Sequence, residues 1–187
     1  MIYGLTGGIA TGKSTILNEL KKRNIKVVDL DNISHELLEN KEIKNEILKK
    51  ISKNILTTDN KIDRKKLSSI VFFDKDKLEI LNNIMHKKII NQMINIIKNN
   101  KDDILVIEVP LLFELNLEKY FDKIILAYAP RQLQLERILK RDKKTIKEAE
   151  NILNSQFDIE IKKEKSDIII DSSNSIEKLR EQIEKEF

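Results

Sequence analysis

The sequence predicts an α/β fold, a parallel sheet of five strands flanked by helices. Two observations support this prediction: short runs of apolar residues alternate with longer stretches of helical periodicity, and all four glycines lie within the first twelve residues, after the first such run begins. Apolar runs without a polar face are typical of strands that helices cover on both sides, and such strands form parallel sheets. The predicted strands are residues 2–5, 26–29, 104–109, 124–127 and 168–170.

Two segments interrupt this alternation. Residues 31–101 contain no convincing strand and are too long for a simple crossover, so we expect a helical insertion beside the sheet, with its main loop at residues 54–63. Residues 140–165 are highly charged and helical in pattern, and they predict a second, smaller excursion. Ser175 is the predicted N-cap of a closing helix. The remaining core comprises residues 1–30, 102–139 and 166–187.

Composition limits the class of protein. A length of 187 residues suits one domain that carries insertions. The chain has no cysteine, which excludes disulfides and cysteine-based zinc sites and suits the cytoplasm. No apolar run approaches the roughly 20 residues that span a bilayer, and the opening residues show no secretory signal. We therefore expect a soluble, cytoplasmic protein without a membrane partner.

The charge distribution argues against a nucleic-acid partner. The net charge is +4, but 35 Lys and Arg are interspersed with 31 Asp and Glu along the whole chain, which is typical of solvated helix surfaces. Aromatic residues make up only 5% and tryptophan is absent, so base-stacking platforms are not expected. The modest basic surplus instead suits a small, phosphate-rich substrate.

The glycine-rich segment has the pattern of a P-loop, G-x-x-x-x-G-K-[ST]. In such a loop, successive backbone N–H groups converge on an anion, and the helix that follows adds the positive end of its dipole. Lys13 would reach the β- and γ-phosphates of a nucleotide, Ser14 would give its hydroxyl to Mg²⁺, and Thr15 would bond to the α-phosphate. A predicted strand before the loop and a predicted helix after it are the context that the motif requires. The matching residues are Gly7-Gly8-Ile9-Ala10-Thr11-Gly12-Lys13-Ser14.

Acidic residues stand at the carboxyl ends of two predicted strands, the edge at which ligands bind open parallel sheets. Asp29 and Asp31 share one side of an extended segment, so one of them would position an acceptor hydroxyl or take its proton. Asp31 is equally compatible with capping the next helix. Glu108 ends an apolar strand in the manner of a Walker-B element, which predicts a contact with Mg²⁺ through water; an ion pair with a neighbouring lysine is the alternative.

A basic cluster follows the fourth predicted strand and consists of Arg137, Lys140, Arg141, Lys143 and Lys144. Arg137 and Arg141 are four residues apart and share a helix face, where two guanidinium groups would clamp transferring phosphates. A solvated basic face is the commoner meaning of such a run, and both interpretations stay open.

Taken together, these motifs resemble those of the dephospho-coenzyme A kinase family. Residues 4–15 are similar to that family's phosphate loop with its Thr-Gly-Gly-Ile lead-in, and Asp29-Leu30-Asp31 resembles its D-x-D motif. Matches continue in order along nearly the whole chain. They include Ile62-Asp63-Arg64, His86, Val109-Pro110-Leu111-Leu112-Phe113-Glu114, Arg141-Asp142 and Asp167-Ile168-Ile169-Ile170-Asp171.

The resemblance implies a five-stranded P-loop kinase core with a helical substrate-binding insertion at residues 31–101 and a small lid at residues 140–165. It also implies ATP-dependent phosphorylation of the ribose 3′-hydroxyl of dephospho-coenzyme A, the last step of coenzyme A biosynthesis, with ATP and Mg²⁺ as cofactors. We expect a monomer or weak homo-oligomer.

The family's functional positions map onto this chain residue by residue. Asp31 would be the base or orienting group, Lys13 would act on the ATP phosphates, and Arg141 would clamp them from the lid. Together with the motif arguments above, the residues expected to bind ATP are Gly7, Gly8, Ala10, Thr11, Gly12, Lys13, Ser14, Thr15, Arg137 and Ser172. Those expected to bind dephospho-coenzyme A are Asp31, Asp63, Arg64, His86 and Leu111, and those expected to hold the metal are Ser14 and Glu108. Arg137 and Glu108 rest on helix spacing and strand position, not on the resemblance.

Three positions depart from the family pattern. Lys87 follows His86 where the family commonly has proline, Ser172 replaces the usual asparagine, and no arginine stands five residues before Gln156. None of these positions belongs to the phosphate loop.

Two other functions stay as alternatives. One is another small-molecule P-loop kinase, although adenylate kinases usually carry proline in the loop and glycine after its lysine, where this chain has Ala10 and Ser14. The other is a basic helical nucleic-acid-binding protein that uses ATP only as a switch, and it predicts salt-sensitive binding to DNA or RNA.

Overall fold

A computed structural model describes residues 1–187 and contains one sheet of five strands in the order β2-β3-β1-β4-β5. The strands are β1 (Ile2–Gly7), β2 (Lys26–Asp29), β3 (Leu105–Glu108), β4 (Lys123–Tyr128) and β5 (Ile168–Asp171). Every neighbouring pair of strands runs parallel, so the predicted parallel sheet is confirmed. β1 is longer than expected because it continues through Thr6 to Gly7.

Nine α-helices lie between and after the strands. They are α1 (Lys13–Lys22), α2 (Leu30–Leu38), α3 (Lys41–Lys50), α4 (Arg64–Phe72), α5 (Lys75–Lys98), α6 (Arg131–Asp142), α7 (Ile146–Asn154), α8 (Ile159–Glu164) and α9 (Ile176–Glu186). The Ser175 hydroxyl accepts a hydrogen bond from the Lys178 amide, which confirms it as the N-cap of α9. None of these helices has the length and apolar character that crossing a bilayer requires.

The strand order brings the carboxyl ends of three strands together. β1 occupies the centre of the sheet, and its Leu5 is in register with Glu108 of β3. Asp29, the last residue of β2, is in register with the same Glu108. The phosphate loop after β1 and the two acidic residues therefore belong to one edge of the sheet, as the sequence predicts for parallel strands.

Helices α1 and α9 pack against one another and against the apolar core of the sheet. The spacing of their apolar residues places one stripe of each helix in this core. Burial of an aliphatic side chain contributes about 1.5–3 kcal/mol each relative to exposure. The fully buried residues of this core include Leu5, Ile16, Leu20, Val106, Ile125, Ile170 and Ile183.

The chain forms two compact units. Met1–Asp29 and Lys101–Phe187 make the unit that holds the sheet, and Leu30–Asn100 make a helical unit of α2 to α5. In the helical unit Leu56 and Ile62 form only an isolated antiparallel bridge, within the segment predicted as its main loop. The apolar core of this unit includes Ile43, Ile47, Ile55, Leu67, Ile84 and Met85.

Helices α6 and α7 pack together through a small apolar cluster. α6 continues to Asp142, so the first three residues of the segment expected to start at residue 140 are still helical. The helix ends at Lys143, which has a left-handed φ of 50°. Arg141 therefore lies on the last turn of α6. Thr145 and Glu148 then open α7 with a reciprocal capping box.

Candidate phosphate-binding site

The phosphate loop, residues 7–14, packs closely on its neighbours where it leaves β1 and enters α1. Gly12 has a left-handed backbone with φ 87°, and a Cβ at that position would lie 3.0 Å from both Cβ and Oγ of Ser172. A Cβ on Gly7 would lie 2.6 Å from the carbonyl oxygen of Ala127 on the adjacent strand. The left-handed backbone therefore favours glycine at position 12, and the lack of space beside a backbone oxygen requires it at position 7.

Two side chains of the loop bond back to its own carbonyl groups. Thr11 is fully buried and donates from Oγ1 to the Gly8 carbonyl oxygen at 2.8 Å. Lys13 donates from Nζ to the carbonyl oxygens of Gly7, at 3.1 Å, and Gly8, at 2.9 Å. Phosphate oxygens would be preferred partners for this ammonium group, because their negative charge adds Coulomb attraction to the hydrogen bond, which a neutral carbonyl does not.

Arg137 and Ser172 tie the phosphate loop to the loop after β5. Arg137 donates from Nη1 to the Ala10 carbonyl and to the Ser172 hydroxyl, both at 3.0 Å, and from Nη2 to the Ser172 carbonyl at 2.6 Å. The Ser172 hydroxyl in turn donates to the Thr11 carbonyl at 2.8 Å. The structure thus brings both residues to the phosphate loop, through hydrogen bonds to protein atoms.

Two glutamines that the sequence patterns do not single out also contact this loop. Gln134 is buried and donates from Nε2 to the Ala129 carbonyl at 2.8 Å, while a Cβ on Gly8 would lie only 2.6 Å from its Oε1. Gln156 accepts a hydrogen bond at Oε1 from the Ile9 amide at 3.0 Å. Gln156 is part of the lid stretch that was compared with the family pattern, but no motif assigns a chemical role to glutamine at either position.

The donors expected for a metal ion are oxygens. Ser14 is exposed in the first turn of α1, beside Thr15, and Glu108 is 6% exposed at the end of β3. Mg²⁺ prefers such donors, and in nucleotide sites it takes one or two protein ligands together with phosphate oxygens and water. The structure has no cluster of three or more His, Cys, Asp or Glu residues that would make a protein-only metal site. This donor set therefore fits an ion that binds together with a nucleotide.

Arg141 forms a bidentate pair with its neighbour Asp142. Its Nε and Nη2 donate to Oδ1 and Oδ2 at 2.7 and 3.0 Å, and its side chain is 60% exposed. The hydrogen bond from Arg141 lowers the pKa of the Asp142 carboxyl. Arg137 and Arg141 thus have different partners, and in this structure the two guanidinium groups do not meet at one target.

Of three residues expected to bind substrate, Asp31 and His86 belong to the helical unit and Leu111 belongs to the unit that holds the sheet. Asp31 is exposed in the first turn of α2, and because this helix begins at Leu30 the structure does not make Asp31 its N-cap. His86 lies on α5, where burial lowers the pKa of its imidazole and favours the neutral form. Leu111 is half-buried in the turn that follows β3.

Asp63 and Arg64 mark the start of α4. The Asp63 carboxylate caps the helix, because its Oδ1 accepts hydrogen bonds from the Lys65 and Lys66 amides at 3.0 and 3.1 Å. Arg64, the first helical residue, is exposed. Asp63 therefore has a structural role as the N-cap of α4. An aspartate directly before a helical run is a known sequence signal for a helix start, and it would have indicated this role.

Comparison with known proteins gives matches over the whole chain. The family model described as dephospho-CoA kinase matches residues 1–178. The dephospho-CoA kinase of Fusobacterium nucleatum is 40% identical over 185 residues, which are 99% of this chain and 96% of that protein. That of Helicobacter pylori strain J99 is 41% identical over 189 residues, covering 97% of this chain and 93% of that protein.

Solved structures agree with the sequence matches. The dephospho-CoA kinase from Campylobacter jejuni is 37% identical with a TM-score of 0.71, covering 98% of this chain and 94% of that one. Shikimate kinase from Aquifex aeolicus and deoxyadenosine kinase from M. mycoides are 18% and 17% identical with TM-scores of 0.53 and 0.52, and these show the P-loop kinase fold alone. Since the family model matches residues 1–178 and a relative is 40% identical over 99% of the chain, this chain belongs to the dephospho-CoA kinase family.

Proposed function

We propose that this protein transfers the γ-phosphoryl group of ATP to the ribose 3′-hydroxyl of dephospho-coenzyme A, in coenzyme A biosynthesis. The observation that carries the proposal is the phosphate loop between β1 and α1, in a chain that matches the family model over residues 1–178.

The phosphate loop binds the triphosphate. The main-chain amides that follow Ile9 in the loop converge at the amino end of α1, where the helix dipole favours an anion. Lys13 exchanges its two carbonyl partners for phosphate oxygens and neutralises charge that develops during transfer. Arg137 and Ser172 support the loop from the side of β5 and border the bound nucleotide.

Ser14 and Glu108 hold Mg²⁺, Ser14 through its hydroxyl and Glu108 through water. When bound, the ion neutralises the β- and γ-phosphates. The register of Glu108 with Leu5, at the carboxyl end of the central strand, supports a role beside the loop that follows that strand.

Asp31 acts on the acceptor hydroxyl. It orients the 3′-hydroxyl of the ribose and takes its proton as the oxygen bonds to the γ-phosphorus and the bond to the β-phosphate oxygen breaks, releasing ADP. Support comes from its position two residues after the end of β2 and from its exposure on the first turn of α2. Asp29 is the competing candidate that spacing alone leaves open.

The helical unit supplies contacts to dephospho-coenzyme A. Arg64, exposed at the start of α4, binds an anionic part of the substrate, and Asp63 places it by capping the helix. His86, whose neutral form burial favours, offers one donor and one acceptor. Leu111, which belongs to the unit that holds the sheet, adds an apolar contact. Arg141 moves from Asp142 to the ATP phosphates when residues 140–165 close as a lid, which excludes water that would otherwise hydrolyse ATP.

The proposal includes a cytoplasmic location, a monomer or weak homo-oligomer, and no nucleic-acid partner. A cysteine-free chain has no requirement for an oxidising compartment. The interspersed charges and scarce aromatic residues favour a small-molecule substrate over DNA or RNA.

The test is an ADP-release assay with dephospho-coenzyme A and, as alternatives, shikimate and a panel of nucleosides and nucleoside monophosphates. Only with dephospho-coenzyme A as acceptor should the rate of ADP release be well above the rate with ATP alone. Mass spectrometry should show that the product carries one added phosphate. Faster turnover of any panel compound would assign the protein to another kinase activity.

Asp31→Asn and Asp29→Asn, compared in parallel, identify the base. Asp31→Asn should lower kcat about 100-fold or more, because positioned acid–base groups contribute about 10²–10⁴-fold, while the KM for ATP changes little. If Asp29→Asn shows the loss of kcat instead, Asp29 is the residue that acts on the acceptor hydroxyl.

A further inference from the structure

The short connection between α7 and α8, residues 155–158, lies against the tip of the phosphate loop. Its Gln156 accepts the hydrogen bond from the Ile9 amide at 3.0 Å. The side chains of Ile9 and Ala10 also pack against the apolar cluster that α6 and α7 share, whose buried members are Ile138, Ala149 and Leu153. A polar and an apolar contact thus join the same two loop residues to the α6–α7 hairpin and the connection that follows it.

The loop tip needs such support. Ala10 has a φ of 60°, and a residue with a Cβ costs roughly 1–2 kcal/mol in this left-handed conformation. Strained residues of this kind persist only where the surroundings over-determine them. Here the Ile9 amide donates to Gln156 and the Ala10 carbonyl accepts from Arg137, so hydrogen bonds hold the backbone both before and after the strained residue.

The connection is itself anchored on the side away from the loop tip. The Phe157 amide, next to Gln156, donates to Oε1 of Glu114 at 3.1 Å. The same oxygen lies 2.8 Å from Nζ of Lys162 on α8, and the Lys162 side chain is fully buried. Glu114 belongs to the turns that follow β3, so Gln156 is presented to the phosphate loop from a fixed base.

We propose that Gln156 is a positioning residue for nucleotide binding. It acts through the Ile9 amide, holding the loop tip in the shape in which the amides that follow converge on phosphate. This inference rests on the proposed use of the loop to bind ATP and extends it to a residue to which the sequence motifs assign no role. Gln156 also belongs to the predicted lid, residues 140–165. Through this residue, part of the predicted lid contacts the phosphate loop before a nucleotide binds.

The test compares Gln156→Leu, which removes the acceptor, and Gln156→Asn, which keeps the amide but is one methylene shorter, with Gln132→Leu. Gln132 is an exposed glutamine on α6 that bonds only to Glu136. Loss of one hydrogen bond should weaken ATP binding about 3- to 10-fold in both Gln156 variants, measured by direct titration without dephospho-coenzyme A. The KM for dephospho-coenzyme A and the melting temperature should stay at the wild-type values.

Amide hydrogen exchange gives a second readout in the ATP-free protein. Exchange at Ile9 should accelerate in both Gln156 variants and not in Gln132→Leu. Unchanged ATP affinity and Ile9 exchange would overturn the inference, as would an equal loss for both substrates accompanied by lower thermal stability. If ATP binding depends on Gln156 but dephospho-coenzyme A is not phosphorylated by the wild-type protein, the inference stands and the proposed reaction fails.

Discussion

Nζ of Lys162 lies 2.8 Å from Oε1 of Glu114, with the lysine side chain fully buried and the glutamate side chain 15% exposed. Glu114→Ala leaves a buried ammonium group without its counter-charge. Breaking a buried pair in this way costs about 3–5 kcal/mol, and we expect that loss in the free energy of unfolding measured with urea.

Two further variants separate this effect from a general cost of substitution. Glu46→Ala, which breaks the exposed pair with Lys50, should cost less than about 1 kcal/mol. The double variant Glu114→Leu/Lys162→Met should be more stable than Glu114→Ala, since apolar residues of similar volume often replace a buried ion pair without loss. A single variant as stable as wild type would show that the pair does not anchor α8.

Gly12→Ala should disable the phosphate loop. The new Cβ would meet Ser172 at 3.0 Å and would require a φ of 87° that alanine rarely adopts. We expect a loss of ATP affinity greater than about 10-fold, since 1.4 kcal/mol corresponds to a factor of ten and left-handed alanine alone costs roughly 1–2 kcal/mol. Equilibrium titration with ATP measures the effect.

Ala10→Gly is the matched control, because Ala10 already has a φ of 60° that glycine adopts without strain. It should retain ATP binding. Wild-type affinity in Gly12→Ala would mean that the loop relaxes away from Ser172 at no cost.

Arg141→Met should separate catalysis from folding. The side chain is 60% exposed and bonds to Asp142, so the melting temperature should not change. Removal of one group that stabilises transition-state charge typically costs about 10²–10³ in kcat, and we expect a loss in that range with a smaller change in the KM for ATP.

Lys144→Met serves as the comparison, since Lys144 is an exposed cation of the same basic cluster. It should keep most of the wild-type kcat. Similar losses in both variants would favour the interpretation of the cluster as a general basic face.

Acid should weaken the contact between α1 and α9. Hydrogen bonds from Arg180, and then from Lys22, lower the pKa of the Glu19 carboxyl from 4.5 to about 2. Because the folded-state pKa is depressed, the stabilisation is complete above the unfolded value of 4.5 and is lost as the pH falls toward 2. Over this range the urea midpoint should fall more steeply in wild type than in Glu19→Gln.

Glu184→Gln provides the reference, because Glu184 is an exposed carboxylate on α9. Its urea midpoint should follow the wild-type pH dependence. Parallel curves for wild type and Glu19→Gln would show that Glu19 contributes nothing to acid sensitivity.

The strands and the phosphate loop were predictable because their signals are local. Val27 and Val28 define β2 by themselves, and Ser175 marks the start of α9 through its own hydroxyl. The glycine spacing of the loop is a local signal too, because it reflects a backbone conformation that glycine adopts easily. Gly12 shows this through its left-handed φ and the short distance from a Cβ at that position to Ser172.

The contacts that support the site were not predictable, because they depend on partners distant in sequence. Lys162 is part of a charged segment, where a lysine is normally solvated, and its burial depends on Glu114 and the Pro110 carbonyl, which are distant in sequence. The spacing of Arg137 and Arg141 indicated a shared helix face but not that Arg137 bonds to Ser172. Gln156 could be placed in the lid stretch from the sequence, but its hydrogen bond with the Ile9 amide could not.

The placement of β1 at the centre of the sheet has a consequence for synthesis on the ribosome. Ile2 pairs with Leu105 of β3, and Tyr3 pairs with Lys123 of β4. β1 therefore cannot pair with either neighbour until Leu30–Asn100 have been translated. At about 5–20 residues per second, the delay is on the order of 5–20 s. During that time the nascent chain carries an unpaired apolar strand, which exposes it to aggregation and makes chaperone contact most valuable before β3 emerges.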